Sequence, residues 1–243
     1  MRAARTIFWS AVAGLVHTHV TYPVALAALR RWRPPAPPPS PGGDEELPRV
    51  SLVVAAFDEE EVIAAKVENA LDLDYPRELL EVIVASDGSA DRTVERARAA
   101  GADLVLDLPR GGKMATQNAA VERAGGEIVA FSDANTRWEP DALAELVAAF
   151  ADPRVGYACG QLVLLDPEGD NEEGAYWRLE TRIRELESGL GGITAGNGGI
   201  YAVRRADYVP LPPSRSHDLS FPFLLAKRGR RSVYVPAARA SER

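Results

Sequence analysis

A single cysteine, Cys159, stands in 243 residues, and that scarcity is the first limit the sequence sets. One thiol cannot form an intrachain disulfide framework or a cysteine-rich zinc site, and it gives no sign of an oxidising compartment. Cys159 reads instead as a small buried hydrophobe. A basic excess is missing too: 28 Lys and Arg stand against 35 Asp and Glu, a formal net charge of -7. Phosphate recognition in nucleic acids calls for basic side chains gathered on one face, so no nucleic-acid partner is expected. An acidic cleft that holds a metal ion is easier to reconcile with this balance. Internal repeats are absent as well. What is present, 46% hydrophobic and 26% charged residues, is ordinary globular composition for one domain of normal size.

The amino-terminal end departs from that pattern. From Ile7 to Leu29 run about 23 residues whose only ionisable groups are His17, His19 and Tyr22, enough to cross a hydrocarbon layer of roughly 30 Å. The segment reads as a membrane helix, although His17, Thr18, His19 and Pro23 are costly at mid-membrane. A cleaved signal peptide is the competing reading, with Arg2 and Arg5 as its basic end and Ala25-Leu26-Ala27 as the cleavage site. Arg30, Arg31 and Arg33 follow, a slight bias for a cytosolic carboxyl-terminal side. The run from Pro34 to Gly43 excludes helix and sheet and predicts a stiff polyproline spacer ending in a flexible joint. The expected divisions are an anchor over 1–33, a linker over 34–46 and a soluble domain over 47–243.

Within that domain, Val50 to Ala56 is continuously apolar, as expected of a parallel strand buried on both faces. Asp58 opens an acidic run with apolar Val62, Ile63, Val67 and Leu71 behind it, predicting an amphipathic helix. The unit recurs: strands over 80–85, 103–106 and 127–131 alternate with helices over 91–100, 113–123 and 140–150. This alternation predicts a doubly wound, mostly parallel sheet flanked by helices, with ligands beyond the carboxyl ends of the strands. Farther on come a strand over 155–165 and a long helix with Tyr176, Leu179, Ile183, Leu186 and Leu190 on one stripe. A glycine-rich segment, Gly189 to Gly199, leads into a strand over 200–203.

Three acidic segments fall just past predicted strand ends: Asp58 to Glu61, Ser86 to Asp91, and Ser132 to Asn135. Each has a plainer reading, since Asp58 and Asp91 suit helix N-caps and Asp133 could only close its strand. Asp87 resists it, because Gly88 after it suggests a tight turn that brings carboxylate and backbone toward a ligand. Gly111-Gly112-Lys113 looks like the end of a P-loop, but Met114 holds the Ser/Thr position and Asp107 that of the leading glycine. A dinucleotide fold needs glycines after the first strand, where Phe57-Asp58-Glu59 stands. Both nucleotide readings fail, which leaves Lys113 as a mobile positive charge suited to a diphosphate.

In order, Val53 to Ile63, Ser86 to Asp91, Gly112-Lys113 with Asn118, Phe131 to Asn135, Gly196 to Arg205 and His217-Asp218 resemble the motif series of family 2 glycosyltransferases. Thr21-Tyr22-Pro23 resembles the anchor of membrane-bound members. The resemblance implies a GT-A fold and an inverting hexosyltransferase. Such an enzyme moves a sugar from a nucleotide diphosphate donor to a glycan or lipid-linked acceptor hydroxyl, here at the cytosolic face of the inner membrane. It implies that Ala55, Phe57 and Glu59 line the base and ribose site, that Asp87 accepts from the base, and that Lys113 and Asn118 belong to the donor site. Asp133 would be the first acid of the metal motif, serving a divalent cation, Mg2+ or Mn2+. Asn135 stands where the second acid is usual, a neutral oxygen that hard cations accept with less charge compensation. Asp218 would be the general base, with His217 in place of the usual preceding residue; on capping statistics alone it is an N-cap for the helix through Leu225. A GT-A nucleotidyltransferase and a silent donor-binding scaffold are the alternatives. The sequence ends at Arg243, short of the basic and aromatic acceptor motif of many relatives, which suggests a truncated reading frame.

Overall fold

The structure is a computed structural model that describes residues 2–32, 47–165 and 174–242, without the side chains of 175 and 176. The linker expected over 34–46 lies outside the described residues.

Strand β1, Val50–Ala56, takes the centre of the sheet because both of its faces are apolar. Leu52 packs into one buried cluster with Trp138, Leu143 and Leu146, whereas Val53 packs into another with Phe131, Tyr157 and Phe221. A period of two sends successive side chains to opposite faces, so a strand covered on both reads as an unbroken apolar run. β2 (Leu80–Asp87), β3 (Leu104–Leu108) and β4 (Ile128–Asp133) extend the sheet in parallel, β2 and β4 flanking β1. Helices α3 (Ile63–Leu71), α4 (Thr93–Ala99) and α5 (Lys113–Arg123) connect them.

Beyond β4 the sheet becomes mixed. Its full order is β3-β2-β1-β4-β7-β6-β8-β5, where β5 is Thr136–Trp138, β6 Val155–Leu164, β7 Tyr201–Arg204 and β8 Arg231–Glu242. β7 runs antiparallel to β4 and β6, and β8 parallel to β6. Helices α6 (Ala142–Ala148), α7 (Ala175–Leu190) and α8 (His217–Lys227) complete the α/β fold.

Several features differ from what the residue pattern suggests. The helix predicted from Asp58 begins at Ile63, because Asp58 adopts φ 53° and residues 59–62 form turns. Asp58 and Glu60 bond across to the β2 loop instead: the Ala90 amide donates to Asp58 Oδ1 at 2.8 Å, and the Glu60 amide to Asp91 Oδ2 at 3.0 Å. β8 is longer than its apolar core Ser232 to Val235 suggests, with an irregularity opposite Gly160 and Gln161. The far half of β8 pairs with β5, whose three residues carry too short a pattern to register as a strand. Finally, the N-cap of α8 is Ser216, so Asp218 lies in the first turn rather than at the cap.

The amino-terminal helix runs as α1 (Arg2–Val16), a π-helical turn over His17–Thr21, and α2 (Tyr22–Trp32). By length and composition it is apolar enough to cross a membrane. Its second half meets the domain: Leu26 is buried, the Tyr22 hydroxyl donates to Glu187 Oε1 at 2.5 Å, and Arg30 Nη1 donates to the Gly189 carbonyl at 3.2 Å.

Adjacent glycines at the amino end of β4 test the packing. A Cβ on Gly126 would stand 2.4 Å from the Ser51 amide nitrogen and 2.8 Å from the Ile128 carbonyl, all rigid backbone, whereas one on Gly125 would meet only Glu81 Oε2 at 3.6 Å. Gly126→Ala should lower stability by about 1–3 kcal/mol and Gly125→Ala by well under that, as read by urea unfolding of the two variants. Equal losses would refute the packing at β1 and β4.

Candidate active site

The pairing that matters most joins the carboxyl ends of β1 and β4, where Ala55 lies beside Asp133 in register. Asp133, the last residue of β4, forms an ion pair with Lys113, the first residue of α5. Gly112 adopts φ 86° just before that helix, a left-handed conformation suited to glycine that turns the chain so Lys113 reaches across. The Asp133 carboxylate retains about a third of its accessibility and Lys113 rather more, so the pair stands in a groove open to solvent.

Beside this pair the β2 end closes on itself. Asp87 is buried, and its carboxylate accepts from the Gly111 amide at 2.6 Å and the Gly112 amide at 2.9 Å, with Arg110 Nε at 3.5 Å. Asp87 thus clamps the loop that launches Lys113. Gly88 has φ 71° and lies so close to the Arg110 backbone that a side chain would clash, which bears out the tight turn expected there. The Arg110 guanidinium also stacks 3.2 Å over the exposed Phe57 ring, giving this groove an aromatic and cationic wall. Arg110 escaped sequence reasoning because a lone arginine before two glycines carries no pattern.

Acidic charge accumulates around the groove. Burial, then the charges of Asp133 and Asp91, push the Glu59 carboxyl up from its usual range. Asp91 itself accepts from the Thr93 amide at 2.9 Å in the turn before α4, whose N-cap is Arg92, one residue past the cap expected at Asp91.

Facing Lys113 and Asp133 is the glycine-rich loop between α7 and β7. A Cβ on Gly198 would stand 3.5 Å from Lys113 Nζ and 3.6 Å from Asp133 Oδ2. Two residues earlier, the Gly196 amide donates to the Asp218 carbonyl at 2.9 Å. One short loop therefore touches both the ion pair and the start of α8. The buried Tyr201 hydroxyl registers the same convergence, since burial and then the charges of Asp133, Tyr208 and Asp218 raise it well above the ordinary phenol range.

His217 is turned inward. Its Nδ1 meets the Tyr201 hydroxyl at 2.7 Å and its Nε2 the Tyr208 hydroxyl at 3.2 Å, amid Phe131 and Phe221. Burial, aided by the Lys113 charge, pushes its imidazole down to about 3, so at neutral pH it is an uncharged packing group. Asn118 is likewise committed to protein: it donates to the Leu211 carbonyl at 2.8 Å and accepts from Tyr208 at 2.7 Å, holding the chain that leads to α8. Asn135 is exposed and donates to Glu242 Oε1 at 2.7 Å. A carboxylate can only accept, so the Asn135 nitrogen faces Glu242 and its carbonyl oxygen faces away. Among the described residues no group of three or more His, Cys, Asp or Glu gathers to hold a metal.

Under the groove lies a residue the sequence did not mark. Lys66 is 3% exposed, donates to the Thr136 carbonyl at 2.7 Å and stands 5.4 Å from the Trp138 ring centroid. Desolvation lowers its ammonium to about 7 against the upward pull of Asp133.

Residues 51–209 match Glycosyl transferase family 2, and the chain belongs to that family. It is 28% identical over 228 residues to an N-acetylglucosaminyltransferase of Rhizobium meliloti (strain 1021), a match covering 84% of this chain and 53% of that protein. A beta-monoglucosyldiacylglycerol synthase of Synechocystis sp. is 31% identical over 207 residues, covering 78% and 43%. The chain thus spans about half the length of the curated relatives it matches. Among solved structures, a mannosyltransferase from Pyrobaculum calidifontis in complex with GDP-Man and Mn2+ superposes with a TM-score of 0.76 at 28% identity, covering 95% of this chain and 67% of that one. The fold is the GT-A α/β fold that the motif order implied.

Lys66 supplies a pH test. Between its folded value of about 7 and the ordinary 10.5, the unfolded chain holds a proton that the folded chain releases. Stability therefore rises with pH across that window, by at most about 1.4 kcal/mol per pH unit. Thermal melts from pH 7 to 9 should show the wild type gaining on Lys66→Met; parallel curves would refute a buried, easily deprotonated amine.

Proposed function

We propose that this chain is an inverting glycosyltransferase that transfers a sugar from a nucleoside diphosphate sugar to an acceptor hydroxyl on a glycan or lipid at the cytosolic membrane face. The observation that carries the reading is the glycine-rich loop, which adjoins Lys113 and Asp133 through Gly198 and Asp218 through Gly196. The Lys113–Asp133 pair and the backbone of Asp218 thus border one loop at the carboxyl edge of the sheet, where open α/β folds bind ligands, and the reading takes the Asp218 carboxylate as the base.

In this reading Ala55, Phe57 and Glu59 line the base and ribose side, with the Asp87 clamp and the Arg110 stack forming its wall. Lys113 swings from Asp133 to the incoming diphosphate, exchanging one anion for another. Asp133 and the carbonyl oxygen of Asn135 are hard oxygen donors, and they would hold a divalent ion, Mg2+ or Mn2+. Such an ion, when bound, offsets the negative charge that grows on the leaving diphosphate. Asp218 takes the proton from the acceptor hydroxyl as that oxygen attacks the anomeric carbon, so no free alkoxide forms. One displacement inverts the anomeric centre. Asn118 and His217 serve at one remove, by holding the 208–217 segment that delivers Asp218.

The membrane placement rests on the helix 2–32, long and apolar enough to span, and on the cytosolic supply of nucleotide sugars. The lipid option draws support from the diacylglycerol named in the Synechocystis relative.

Titration calorimetry of the full chain in detergent with UDP, GDP and dTDP, with and without Mn2+, tests the donor site. One nucleotide should bind selectively, and Asp133→Ala should weaken it at least about tenfold, the loss expected for a charged contact. Asp218→Asn should bind nucleotide normally yet lose about a hundredfold or more in donor turnover with membrane-lipid extract as acceptor. No nucleotide binding, or wild-type turnover in Asp218→Asn, would sink the reading.

A further inference from the structure

Glu187 is a buried carboxylate, 4% exposed, in the last turn of α7. Its hydrogen bonds come from two separate parts of the chain. Oε1 accepts the Tyr22 hydroxyl of the amino-terminal helix at 2.5 Å. Oε2 accepts the Thr194 amide at 2.9 Å, and the Thr194 hydroxyl lies 3.0 Å from both oxygens. A carboxylate out of water is costly unless its lone pairs are met, so both sets of donors are needed and each stabilises the other. Thr194 opens the loop whose Gly196 amide bonds the Asp218 carbonyl and whose Gly198 borders Lys113 and Asp133. A continuous run of contacts thus leads from Tyr22 through Glu187 and Thr194 to the groove.

The same contacts divide the long helix. Tyr22–Trp32 lies against the domain, with Leu26 buried and Arg30 on the Gly189 carbonyl, while no residue of Arg2–Val16 is buried. Tyr22 begins the docked half, directly after the π-helical turn. The helix is therefore built into the wall of the domain at the root of the glycine-rich loop.

We propose that Glu187 is a positioning residue that ties the amino-terminal helix to the glycine-rich loop, so that the helix sets the acceptor side of the site rather than serving only as a tether. The proposal rests on the glycosyltransferase reading for what the loop does, but the coupling itself is readable without turnover. Amide hydrogen exchange on the full chain in lipid nanodiscs, comparing wild type with Tyr22→Phe and Glu187→Gln, measures it. Tyr22→Phe removes one hydroxyl and leaves the ring to pack. Exchange over residues 190–199 should accelerate about tenfold or more in both variants, the effect expected when a hydrogen bond to a charged group is lost. Nucleoside diphosphate affinity should stay within about twofold of wild type while kcat falls, because the donor contacts remain. Unchanged exchange over 190–199 in Tyr22→Phe overturns the coupling, whether or not residues 22–32 loosen. A wild-type chain that binds no nucleotide would instead overturn the glycosyltransferase reading and leave the exchange result standing.

Discussion

The parallel pairing of β1 with β4 is the constraint on which the rest of the molecule depends. It sets Ala55 beside Asp133 and makes the ends of two buried strands a common edge. Parallel strands deliver their loops to the same side, so the β1 loop, the β2 loop and the β4 acid meet there without any long-range design. The loops then bond to one another: Asp58 and Glu60 to the 89–91 turn, and Asp87 to the 111–112 amides. Register slippage by one residue would turn Asp133 to the other face of the sheet and dissolve the site.

Electrostatics follows from that convergence. Burial and then the charges of Asp133 and Asp91 raise Glu59, and the two lysines near Asp133 differ in kind. Lys113 is partly exposed and paired with Asp133, whereas Lys66 is buried on the Thr136 carbonyl. The mixed half of the sheet contributes geometry rather than charge. β7 is bonded antiparallel to β4, so the loop that precedes β7 arrives over the end of β4, with Gly198 beside Lys113 and Asp133.

Much of this was legible in the sequence, for identifiable reasons. Val50–Ala56 announced itself because burial on both faces leaves an unbroken apolar run, and Lys113–Arg123 because the alternation of strand and helix called for a helix there. Asp133 was marked by its position past a strand end and Lys113 by the two glycines before it, and the structure joins them. The false start of α3 at Asp58 came from acidic residues that mimic a helix amino terminus while bonding across to a neighbouring loop. Asp218 resembled a cap because helix-start statistics cannot tell a cap from a first-turn acid, and Ser216 holds that place. Arg110, Lys66 and Glu187 were out of reach, since a stack, a buried ammonium and a shared carboxylate depend on partners distant in sequence. The long helix could be read as apolar, but the docking of its second half onto the domain is a tertiary fact.

The most direct measurement is a crystal structure of the full chain with a nucleoside diphosphate and Mn2+, using the anomalous signal of the metal. The account predicts an anomalous peak between Asp133 and Asn135, a diphosphate on Lys113 with the original ion pair broken, and the base in the groove walled by Phe57 and Asp87. A nucleotide bound elsewhere, or a metal away from Asp133 with the Lys113 pair intact, would contradict it.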